Sequence, residues 1–101
     1  MITVILSSWP LDKTKAVVKV AMELPPIPEY INRKMLSKGE LGAGIKCFDI
    51  YEFDSSKFEE AHDYLHSRVA AFYDVQGFTY DIERWLDEQE AMDFMAKYMS
   101  K

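Results

Sequence analysis

Apolar side chains fill both the odd and the even positions of Ile45-Lys46-Cys47-Phe48-Asp49-Ile50-Tyr51-Glu52-Phe53. A strand built from this run presents apolar surface on two faces and has to be covered twice. Residues 2–8 repeat the pattern in shorter form, with Ile2, Val4 and Leu6 on one face and Ile5 on the other, which predicts a strand in mid-sheet. Trp9-Pro10 ends it. Val17, Val18, Ala21 and Leu24 then recur at helical spacing, and Asp12 is available to cap the first turn, so a helix is expected over residues 11–24. Pro25-Pro26 stops that helix, since neither residue offers an amide hydrogen and each disfavours helical geometry in its predecessor; Pro28 prolongs an extended linker.

Tyr30, Ile31, Met35 and Leu36 alternate loosely with Asn32, Arg33, Lys34 and Lys38, which predicts an edge strand over residues 30–37. Gly39, Gly42 and Gly44 suit a hairpin leading into the two-faced strand at 45–53. Asp54-Ser55-Ser56 supplies acceptors for the free amides of a helix over residues 56–73, whose apolar stripe is Phe58, Ala61, Leu65, Val69 and Phe72. After Gln76-Gly77, the alternation of Phe78, Tyr80 and Ile82 with Thr79, Asp81 and Glu83 predicts a half-buried strand ending near Trp85. The chain closes with capping-box spacing at Asp87-Glu88-Gln89-Glu90 before Ala91, Met92, Met95, Tyr98 and Met99, the pattern of a short amphipathic helix.

The order is therefore β-α-β-β-α-β with a terminal helix: an α+β, ferredoxin-like sandwich forming a single domain over residues 1–101. Right-handed crossovers put both long helices on one face of the sheet and leave the other bare. A second copy of the same sheet is the simplest cover, so the expected partner is the chain itself, as a homodimer.

Composition narrows the partners further. With 101 residues, 49% of them apolar, one core can be buried but not two. Twelve basic against seventeen acidic residues give a net charge of −5 with no basic face, so neither nucleic acid nor an anionic membrane is an expected partner. No run approaches the roughly 20 apolar residues of a spanning helix. Ile2 to Leu6 lacks a basic flank and a small-residue cleavage site, and Cys47 is the only cysteine; both point to a reducing, cytoplasmic setting.

The arrangement resembles the dimeric α/β-barrel superfamily on three segments. These are Ile2-Thr3-Val4-Ile5-Leu6 as first strand, Ile45 to Phe53 running into Asp54-Ser55-Ser56, and the entry Gly77-Phe78-Thr79-Tyr80 to the last strand. The resemblance implies two ferredoxin-like sheets packed face to face as a barrel, with a small pocket between sheet and helices. Members include cofactor-independent monooxygenases, haem-degrading monooxygenases, lactone isomerases and ligand-sensing domains. The haem-degrading members use an asparagine on the first strand, whereas Met1 to Trp9 contains none and the one asparagine here is Asn32. Haem chemistry is accordingly not expected, and no other cofactor is implied.

Few residues stand out chemically. Asp49 is the one ionisable carboxyl among Ile45, Cys47, Asp49, Tyr51 and Phe53, which share a strand face. In a cleft it would gain proton affinity by desolvation and act as general acid or base with His62 or a tyrosine hydroxyl; otherwise it is a structural carboxylate paired with Arg33, Lys34 or a partner's cation. His62 and His66, four apart on the second helix, are candidates for the rim of a pocket, and no metal site is expected from their spacing alone. Trp9, Tyr51, Tyr80 and Trp85 are candidate walls for a flat organic ligand, or else core and interface packing. Mid-strand Cys47 reads as a small buried hydrophobe. The expected function is a homodimeric binder of a small apolar molecule. The alternatives are a cofactor-independent monooxygenase or isomerase acting on a small aromatic or polyketide-like substrate through His62 and Asp49, and a structural interaction module.

Overall fold

Ile2–Trp9 (β1) lies in the middle of the sheet because it is apolar on both sides: Val4 and Ile5, adjacent residues on opposite faces, are each 2% exposed. The computed structural model describes residues 1–40 and 44–99 of the chain. β1 pairs antiparallel with Gly44–Glu52 (β3) on one side and with Thr79–Trp85 (β4) on the other, and Asn32–Glu40 (β2) forms the far edge against β3. The result is a four-stranded antiparallel sheet in the order β2-β3-β1-β4 with three helices, an α+β domain.

Register sorts the side chains. Ile5 faces Asp49 and Ile82 across its two neighbours, and Met35 faces Asp49, so these four share one face. Thr14–Glu23 (α1) and Phe58–Ala70 (α2) cover that face. Ile5, Tyr51 and Phe53 from the sheet, Ile31 from the linker, and Ala61, Leu65 and Val69 from α2 make the main core. Val17 of α1 meets Phe72 and Val75 in a second cluster, against which Trp9 and Phe78 pack. Trp9 and Phe78 lie nearly parallel at 6.0 Å, and Phe78 stacks in turn on Phe72 at 4.7 Å, so the chain after α2 is tied to the end of β1 by aromatic contact.

The helix ends depart from the expected capping in one place. Asp12 makes no cap; Thr14 instead donates to the Leu11 carbonyl at 2.8 Å while accepting the Trp9 indole N–H at 3.1 Å, which fixes the turn from β1 into α1. Asp54 does accept the Ser56 amide at 2.9 Å ahead of α2. In the last helix, Glu88–Met99 (α3), the Asp87 carboxylate accepts the Glu90 amide at 2.8 Å while Glu90 accepts the Asp87 amide at 3.1 Å, a reciprocal capping box.

Gly44 starts β3 at φ +104°, where any Cβ would overlap the Trp9 carbonyl oxygen, so the close approach of these backbones requires glycine. The hairpin glycine Gly42 lies outside the described residues.

Beyond the two covered clusters the molecule is open. The radius of gyration is 15.8 Å, against about 13 Å for a compact chain of this length, and the longest axis is 52 Å. α3 projects rather than packing back: among the described residues none of its side chains is buried, and Met92, Phe94, Met95, Tyr98 and Met99 are all exposed. No described helix is long and apolar enough to cross a membrane.

Candidate functional site

Between the covered face and the two long helices lies a cavity of about 110 Å³. Alternation along β3 aims Cys47, Asp49 and Tyr51 into it, β2 adds Arg33 and Met35, and β1 adds Ile5, Ser7 and Trp9. The helix side contributes Val17 and Ala21 from α1 and Arg68 and Val69 from α2, and Phe72 and Phe78 complete the apolar wall. Two guanidinium groups, a carboxyl and a phenol thus share a chamber whose other walls, Ser7 and Cys47 apart, are apolar.

Asp49 is the one buried ionisable carboxyl among the described residues, 7% exposed. Its Oδ1 accepts from Arg33 twice, from Nε at 3.1 Å and from Nη2 at 2.9 Å. Burial pushes the Asp49 carboxyl above its ordinary range, and the Arg33 charge offsets this only in part. For Arg33 burial works against the charge, yet Tyr51 and Asp49 together hold the guanidinium above its ordinary value. Tyr51, 1% exposed, is likewise pushed up, by burial first and by the Asp49 charge second, while Arg33 and Arg68 pull the other way. The Cys47 thiol is raised by burial and by Asp49, which disfavours the thiolate a nucleophile needs.

Trp9, Asp49 and Tyr51 meet in this chamber. His62 and His66 do not: their rings lie 4.1 Å apart on a side of α2 turned to solvent, with Phe58 at 5.5 Å from His62. His62 Nδ1 approaches Asp63 at 3.8 Å, and among the described residues no third metal ligand joins the pair. Tyr80, half exposed, borders a different and larger concavity of about 570 Å³ that also meets Leu6, Leu36 and Phe48. Trp85 belongs to the face of the sheet without helices, where its indole donates to Glu83 at 2.9 Å and its ring stands edge-on to Phe48 at 6.2 Å. Phe48 pairs with Leu6 and Trp85 with Ile2, so the two rings meet across β1 at Val4, and this explains how Val4 is buried on a face that no helix covers.

The smaller chamber is the chemically specific one, because the Asp49 carboxyl and the Tyr51 phenol are buried there, in apolar surroundings where charges are felt. Sequence reading missed Arg68, which sits seven residues after Ala61, three after Leu65 and four before Phe72, inside the apolar stripe of α2. A cation within a core-facing stripe was the available signal.

Comparison with known proteins gave no match to the chain: no family model, no curated protein and no solved structure.

Proposed function

We propose that the protein is a homodimeric, ferredoxin-like small-molecule binder of the dimeric α/β-barrel kind, holding a small, largely apolar ligand between the sheet and its two long helices. The observation that carries the ligand reading is the chamber itself, in which Asp49, Arg33 and Tyr51 converge inside walls made by Trp9, Val17, Phe72 and Phe78. Concave, mostly apolar sites with a few convergent polar groups are the usual form of small-ligand sites. At about 110 Å³ the chamber falls below the roughly 300–1,000 Å³ of drug-sized sites, so the ligand is small.

The dimer reading is supported by the opposite face. Ile2, Val4, Leu6, Leu36, Phe48, Ile50 and Trp85 share it by register, and its two edges carry opposite charge: Lys34, Lys38 and Lys46 toward β2, Asp81 and Glu83 on β4. A two-fold axis parallel to the strands lays the basic edge of one copy over the acidic edge of the other. An axis across the strands would oppose like charges. Strand order β2-β3-β1-β4 supports the ferredoxin-like plan on which such barrels are built.

A thermal-shift screen with small aromatic and aliphatic compounds, followed by NMR of the tryptophan side-chain signals, tests the binder. Ligands of the native state should raise the unfolding temperature and move the Trp9 indole resonance before that of Trp85. A panel that moves neither would discard the reading. Asp49 favours one further reading, proton transfer to or from the bound molecule, because a buried carboxyl with raised proton affinity is suited to general acid–base work. Turnover of a bound compound that survives Asp49→Asn would remove that role.

A further inference from the structure

We infer that the molecule taken by the chamber is a small apolar carboxylate, its anionic end received by Arg68. This rests on the binder reading above and specifies its ligand. Of the two cations in the chamber, Arg33 is matched by Asp49 in a two-nitrogen contact. Arg68 has no such match: its Nη1 donates to the Tyr64 hydroxyl at 3.4 Å, the Tyr51 hydroxyl is a second partner, and among the described residues no carboxylate lies within ion-pair distance.

The chamber therefore holds two guanidinium groups against one carboxylate, an excess of one positive charge in apolar surroundings. Arg68 is half-buried and interacts with Asp49 only at longer range, so a cation beside apolar walls lacks a contacting counter-charge that an anionic ligand would supply. A guanidinium offers a planar fork of donors that matches a carboxylate. A dianion such as a phosphate monoester would overcompensate one net charge and meet the Asp49 carboxylate a few side chains away. The remaining walls, Trp9, Val17, Phe72 and Phe78, receive the hydrocarbon part.

Matched pairs titrated into the full chain separate the outcomes: benzoate against benzamide, butyrate against butyramide, and phenyl phosphate as the dianion, each followed by calorimetry and by NMR of the Trp9 indole. The acids should bind about tenfold or more tighter than their amides, the gain expected of a hydrogen-bonded charge pair. Arg68→Met should bring the affinity of each acid down to that of its amide, and Arg68→Lys should restore part of the preference, with circular dichroism confirming that both variants are folded. Acid and amide binding alike, or phenyl phosphate binding tighter than benzoate, with the Trp9 signal moving, would overturn the carboxylate assignment and leave the chamber as a ligand site. If no member of the panel moves the Trp9 signal, the chamber reading itself falls.

Discussion

The two faces of one sheet meet different fates although the same strands supply both. On the covered face Ile5, Tyr51 and Phe53 are sealed by Ala61, Leu65 and Val69 of α2. On the other, Leu36 is 53% and Trp85 49% exposed, and only Val4 is sealed, by its own neighbours Phe48 and Trp85. Alternation along β3 thus delivers a core face and an exposed apolar face from nine residues. The covered face stabilises the chain and encloses a polar cluster; the open face holds apolar area that its own chain leaves in water.

That contrast can be broken by mutation. The largest effect belongs to the covered face: Leu65→Ala, at a site 1% exposed, should cost about 2–5 kcal/mol in denaturant unfolding, independent of protein concentration. Arg33→Met removes the two-nitrogen contact to Asp49 but leaves the Arg68 charge in the chamber, so it should cost about 1.5–3 kcal/mol, and Asp49→Asn in the same chain should recover much of it. A loss that the double variant fails to repair would show that Arg33 acts through packing rather than charge.

Next comes the junction of the sheet with α1. Gly44→Ala should destabilise by roughly 2 kcal/mol or more, since it adds a left-handed conformation to an overlap with the Trp9 carbonyl. An unchanged unfolding midpoint would mean that this backbone approach relaxes freely. Smaller still, Asp87→Ala removes one half of the capping box of α3 and should cost about 1 kcal/mol of helix stability, read as faster amide exchange in residues 88–91.

The pH dependence gives opposite signs at two aspartates. Asp49 has its proton affinity raised by burial, so between its unfolded and folded pKa the native state binds more protons, and this residue's contribution to stability falls as pH rises through that window. Exposed Asp54, lowered by the Ser56 hydrogen bonds, does the reverse: its contribution is present above the unfolded pKa and is lost as pH falls through the folded one. Carboxyl NMR titration should place Asp49 above and Asp54 below an ordinary aspartate. Both midpoints in the ordinary range would contradict the burial of Asp49.

Much of this was legible in the residues themselves. The double alternation at 45–53 placed Cys47, Asp49, Tyr51 and Phe53 on one face and Phe48 and Ile50 on the other, and Arg33 was among the cations named for Asp49. Periodicity located α2 and the capping box of α3 because both depend on contacts within a few residues. What escaped depends on rotation and long-range approach. Four-residue spacing brings His62 and His66 together wherever the helix points, but whether that side meets the cavity is settled by the docking of Leu65 and Val69. Arg68 escaped because a charged residue is ordinarily assigned to the surface, although its long stem allows a place in an apolar stripe. Trp85 and Phe48 meet across a strand between them, a contact that no local pattern encodes.

The open face is tested most directly by the mass of the protein in solution. Sedimentation equilibrium at micromolar concentration should return twice the 11.8 kDa of one chain, and Phe48→Asp should return a single chain that keeps its circular dichroism. A wild-type mass of 11.8 kDa throughout the concentration range would contradict a second copy as the cover of that face.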